Sequence, residues 1–233
     1  MRSDGAIVVL SEQSEASAAA LLFADTIGKN IKRTVVPIVI GGQQSNVSNV
    51  AEIGAFVDKF ESAMLVFDLR DIRKTQAYLS ACRNIRIPYC FVKPEQIVDF
   101  KKIAVPISML IENKEKGPFA SMFGRFCSSE ITVFEPNDYG SKAKKNSQAI
   151  CTLFDSFNLS YQIQKGRKNS FGIEFEVAIS AHEQSYGLVI VSASREYGLD
   201  DIIFGCKEKK IIKKAQVPIM LINPRADLYT LCD

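Results

Sequence analysis

The chain has 233 residues, 47% of them hydrophobic and 24% charged, which is the composition of an ordinary globular protein and argues against disorder. Its 29 Lys and Arg against 26 Asp and Glu leave a net charge of +3, too small a surplus to imply a nucleic-acid partner without a concentrated basic patch. No apolar run approaches the roughly 20 residues that cross a bilayer, and Met1 to Gly5 opens no signal-peptide apolar region, so the expectation is a cytoplasmic protein without membrane insertion.

In chain order, Ala6 to Leu10 reads as a strand. Glu15 to Lys32 reads as a helix with Ser14 as its N-cap, and Thr34 to Ile40 as a second strand. A helix over Val50 to Phe60, a strand over Met64 to Leu69, a helix over Ile72 to Asn84 and a strand over Pro88 to Val92 follow. After a polar connector, Lys93 to Lys102, the alternation restarts. Strands are expected at Ile103 to Ser108, Glu130 to Glu135, Leu159 to Gln164, Gly187 to Ser192 and Val217 to Ile222. Helices are expected near Glu115 to Cys127, Lys142 to Phe157, Phe171 to Glu183 and Leu199 to Lys214. Alternating strands and helices argue for an α/β fold with open parallel sheets carrying helices on both faces. The two halves close alike, "ACRNIRIPYCFVKP" and "IIKKAQVPIMLINP", which implies a tandem of two domains of like fold, 1–96 and 97–233, the first shortened.

Six cysteines (Cys82, Cys90, Cys127, Cys151, Cys206 and Cys232) form no C-x-x-C pair and read as reduced core thiols, without a disulfide framework or a metal site. His182 is the single histidine and lies on a helix away from the strand ends, so no catalytic triad is visible and no catalytic residue is assigned. Asp200 and Asp201 fit a helix start by the macrodipole, and Lys207 to Lys214 reads as a solvated basic helix face. Cys206 near a helix start is a thin hint of a reactive thiol. Ser121 to Phe126 reads as core packing.

The second half resembles a universal stress protein domain, of the adenine-nucleotide-hydrolase-like type. That family carries five parallel strands, a first strand ending V-P-x-D, a signature G-x2-G-x9-G-[ST] after the fourth strand, and a closing V-P-V-L-V strand. Val105-Pro106-Ile107-Ser108, Gly187 to Val191 and Val217-Pro218-Ile219-Met220-Leu221 match the first, fourth and last strands, and nine residues separate Arg195 from Gly205, as in the signature. The first half resembles the family more weakly: "SEQSEAS", Ser11 to Ser17, is similar to the D-G-S-E that opens its first helix, but between Leu69 and Ile72 the phosphate loop is missing, and one strand-helix unit with it.

The signature is degenerate. Ser192 and Arg195 stand at the two leading glycine positions, Gly205 is retained, Cys206 replaces the hydroxyl, and Ser108 replaces the adenine-side aspartate. Glycines there would let backbone N–H groups approach a phosphate closely, so the resemblance implies no cofactor bound in the usual way, with ATP or AMP as the alternative. A ligand would sit beyond the carboxyl ends of the strands. Ser108, the turn Lys165-Gly166-Arg167-Lys168 and Ser192, Ser194 and Arg195 are therefore the candidate cleft, with side-chain cations in place of a backbone cradle for a phosphate or a mononucleotide. The competing reading of that turn is a solvated loop.

The resemblance implies a non-catalytic protein with a stress-response or regulatory binding role. It implies an internal pseudo-dimer or a homodimer, paired through the last strand of a domain, here Ile219 to Asn223 or Tyr89 to Val92. Two alternatives stand beside it, a nucleotide-binding or weakly hydrolysing member and a soluble regulatory partner of a cation/proton antiporter.

Overall fold

A computed structural model of the chain describes residues 5–41, 47–59, 61–194 and 206–225. The chain divides into two compact units, Met1–Val98 and Asp99–Asp233.

In the first unit, β1 (Ile7–Ser11) leads through α1 (Ala18–Ile31) to β2 (Val35–Val39), then α2 (Ile53–Lys59), β3 (Met64–Asp68), α3 (Thr75–Ala81) and β4 (Tyr89–Val92). The strands pair in parallel in the order β2-β1-β3-β4. β1 and β3 are buried at every position, as their unbroken apolar runs require of strands covered on both faces. α1 buries Ala19, Ala20, Phe23, Ala24 and Ile27, one stripe at helical spacing. Its cap corrects the sequence reading: Ser17, not Ser14, accepts the N–H of Ala20. The backbone N–H of Ser17 is itself held by Asp68 at the end of β3, 3.0 Å away, so a distant carboxylate selects the serine. Both later helices begin as short 3₁₀ turns, Val50–Glu52 and Ile72–Lys74, where Asn49 and Asp71 each accept an N–H two residues on.

The second unit runs β5 (Lys102–Pro106), a 3₁₀ turn (Ile111–Glu115), α4 (Lys116–Cys127), β6 (Glu130–Glu135), α5 (Lys142–Ser156), β7 (Tyr161–Lys165), α6 (Ile173–Ser180), β8 (Leu188–Ser192), α7 (Lys207–Lys214) and β9 (Ile219–Ile222). Its strands pair in parallel in the order β9-β8-β5-β6-β7. Phe123 and Phe154 are fully buried beneath α4 and α5, each contributing about 1.5–3 kcal/mol by removal from water. From β5 the chain builds outward to β6 and β7, then returns to the other side of β5 as β8. The switch point therefore lies between β5 and β8, and a crevice opens beyond their carboxyl ends.

Cys82, Cys90, Cys151 and Cys206 are buried and Cys127 is half-buried; all five are thiols rather than disulfide halves. Burial pushes Cys82 and Cys90 well above the ordinary thiol range, which removes them as nucleophiles. Cys232, Asp200 and Asp201 lie outside the described residues. Among the described residues no helix is long and apolar enough to cross a membrane.

Candidate functional site

The crevice of the second unit is a cleft of about 780 Å³, the size of a small-molecule site. Met109, Leu110 and Ile111, which follow β5, give it an apolar wall. Four lysines face it from three separate segments: Lys114 in the 3₁₀ turn, Lys142 and Lys145 in the first turn of α5, and Lys207 at the start of α7. Glu112 is the carboxylate among the described lining, and Ser192, Ala193 and Ser194 close the β8 side. The first turn of α5 carries no acidic residue, and its cap residue Ser141 makes no side-chain bond to it. Placing lysines there runs against the helix macrodipole, a local cost that an anion in the cleft would offset.

Beneath the cleft runs a chain of buried polar contacts. Lys116 is fully buried and donates to the carbonyl of Pro106 (2.5 Å), to Asn113 Oδ1 (2.8 Å) and to Glu174 Oε1 (2.6 Å). Glu174, on the first turn of α6, also accepts the N–H of Ser192 at 2.9 Å and, through Oε2, the ammonium of Lys207 at 2.8 Å. Burial opposes the charge on Glu174, but Lys116 and Lys207 outweigh it and hold its carboxyl down at about 2. Burial pulls Lys116 below the ordinary lysine range despite Glu174, whereas Lys207, though burial lowers it, is raised on balance by Glu174 and Glu208. Glu174 thus fixes the direction in which Lys207 enters the cleft.

Of the residues expected from the sequence, Ser192 and Ser194 line the cleft. Ser108 is buried and adjoins it: its carbonyl accepts from the cleft residue Asn146 (2.9 Å), and its hydroxyl accepts from Asn113 (2.8 Å) and the N–H of Leu110 (3.3 Å). Ser108 is therefore scaffold for the turn that follows β5. Lys165, Gly166, Arg167 and Lys168 stand at the end of β7, outside the described lining of the cleft. The N–H groups of Arg167 and Lys168 are tied to the carboxylate of Glu176, 2.8–3.1 Å away. Cys206 is the buried residue preceding α7, and Arg195 and Gly205 lie outside the described residues. Lys114, Lys142, Lys145 and Lys207 are the cations that sequence reasoning missed. The available signal was the first turn of α5, "SKAKK", basic where helices favour acids.

His182 is exposed in the turn after α6, and the described lining of the cleft contains no histidine or cysteine. In the first unit the corresponding strand ends are engaged by the chain itself. Asp68 Oδ2 accepts Ser11 Oγ (3.2 Å), the N–H of Ser17 and Arg70 Nε (2.9 Å), and Lys74 pairs with Glu12.

No family model matches the sequence, and no curated protein matches it either. Solved structures do resemble the chain. A universal stress protein from Archaeoglobus fulgidus superposes with a TM-score of 0.70 over 95% of this chain and 97% of its own, at 10% identity. A universal stress protein from Pseudomonas aeruginosa UCBPP-PA14 gives 0.61 over 94% and 93%, at 12% identity. A functionally unknown protein from Pseudomonas aeruginosa PAO1 gives 0.60 over 94% and 92%, also at 12% identity. The fold of this chain is that of the universal stress proteins.

Proposed function

We propose that this chain is a non-catalytic regulatory binding protein, a tandem universal-stress-protein-like chain whose second unit takes a small ligand with an anionic end group and an apolar body. A mononucleotide or another organic phosphate has that chemistry. The observation that carries the reading is the convergence of Lys114, Lys142, Lys145 and Lys207 on one cleft with an apolar wall at the switch point of the sheet. Ammonium groups act as point charges at a distance, so they replace a close backbone cradle without needing glycines. The first unit has its own cations, Arg70 and Lys74, seated on Asp68 and Glu12, and is read as the structural half of the tandem.

Isothermal titration of the full chain with AMP tests this reading. Saturable binding is expected, weakened about tenfold or more in Lys142→Ala/Lys145→Ala, since two charge-assisted contacts are lost. Absence of saturable binding, or undiminished affinity in the double variant, contradicts it.

A further inference from the structure

The backbone N–H groups beyond a strand at the switch point are the ready anion donors of an open parallel sheet. Among the described residues at the end of β8 those donors are already engaged within the chain, Ala193 N–H by the carbonyl of Ile222 and its two neighbours by carboxylates. Ser192 N–H goes to Glu174, and Ser194 donates twice to Glu208 Oε1, from its N–H at 2.5 Å and from its hydroxyl at 2.6 Å. Glu208 lies in the first turn of α7 and is fully buried, and its second oxygen, Oε2, has no hydrogen-bond partner. A carboxylate taken wholly out of water with one oxygen unsatisfied is costly where only packing is at stake. Its position has a reason if negative charge is wanted at that spot. In the first unit Asp68, at the end of β3, is likewise buried with Oδ1 unpartnered and holds Ser11 and the N–H of Ser17, though there Arg70 balances its charge.

We propose that Glu208 is the specificity-determining residue of the cleft. Its carboxylate stands where a ligand's further phosphate would be received, and it keeps polyphosphates off the Ser192–Ser194 turn. The cleft is thereby restricted to ligands with one anionic group, held by Lys142 and Lys145. This rests on the reading of the cleft as an anion site, and it adds a residue that rejects one ligand class while the lysines accept another. Ser194 lines the cleft, and both of its donors are bonded to Glu208 just beneath that surface. A polyphosphate reaching past the lysines finds the N–H groups of Ser192 and Ser194 already bonded to Glu174 and Glu208, which lie buried beneath the lining, instead of bare N–H groups.

The test is isothermal titration of the full-length protein with AMP and with ATP, comparing the ratio of the two affinities in the parent and in Glu208→Ala. In the parent, ATP binds no more than a few-fold tighter than AMP. In Glu208→Ala the two Ser194 donors are released and ATP tightens by about tenfold or more, while AMP stays within about twofold. Glu208→Ser, which suits a helix start, provides the same readout if the alanine variant does not fold. A parent that already prefers ATP by tenfold or more overturns the inference, as does a folded Glu208 variant with an unchanged ratio or with no ATP binding. The Lys142→Ala/Lys145→Ala result on AMP judges the anion site itself, so the two failures are distinct.

Discussion

Replacing Glu174 by glutamine lowers the free energy of unfolding by about 3–5 kcal/mol, read from chemical denaturation at neutral pH. The cost does not come from losing an attractive contact as such, because burying an ion pair roughly breaks even against apolar side chains of the same volume. It comes from what is left behind: an amide oxygen can still accept from Lys116, but this fully buried ammonium loses its compensating negative charge, and an amide offers one acceptor where Lys116 and Lys207 used two. The double variant Lys116→Met/Glu174→Leu, which removes both buried charges, therefore recovers most of the loss. Acid titration reads the same group. The Glu174 carboxyl is held at about 2 against an ordinary 4.5, so its folded value is depressed. Its contribution is present above 4.5 and disappears as pH falls from about 4.5 toward 2. In Glu174→Gln that acid-dependent loss shrinks; an unchanged acid profile together with unchanged stability removes the account of this network.

Gly187→Ala destabilises the second unit by about 3 kcal/mol or more, the upper end of overpacking costs. A β-carbon on Gly187 would lie 1.5 Å from the carbonyl oxygen of Asp99 and 2.6 Å from its carbonyl carbon. Both are backbone atoms and neither can rotate away. The start of β8 would separate from the chain entering β5, breaking the bond from Gly187 N–H to Lys102 O at 2.9 Å. Gly54→Ala is the control: it lies inside α2, its β-carbon meets nothing nearer than 3.7 Å, and alanine there is expected to stabilise by about 0.5–1 kcal/mol. Thermal melts of the two variants should move in opposite directions.

The contrast between these sites shows what local sequence carries and what it does not. Strands such as Glu130–Glu135 and Leu188–Ser192 follow from β-branched apolar runs, because a strand buried on both faces needs little more than that. The start of α1 does not follow, since Ser14 and Ser17 are equivalent as caps until Asp68, at the end of another strand, selects one of them. The cleft is harder still. "KEKKIIKK" has the pattern of a solvated helix face, yet its Glu208 is fully buried and its Lys207 reaches into the cleft. The basic turn Lys165 to Lys168 stands beside the edge strand β7, while the cations at the switch point come from three segments that only the fold brings together. Charge clusters in sequence are local; charge clusters in this cleft are tertiary.

The most direct measurement is a crystal structure of the full chain with AMP, in which the phosphate is located by difference density. Phosphate oxygens are expected within hydrogen-bond reach of the ammonium groups of Lys142 and Lys145, with Glu208 still bonded to Ser194. A phosphate seated on the N–H of Ser194, with Glu208 displaced and the lysines pointing into solvent, would contradict it.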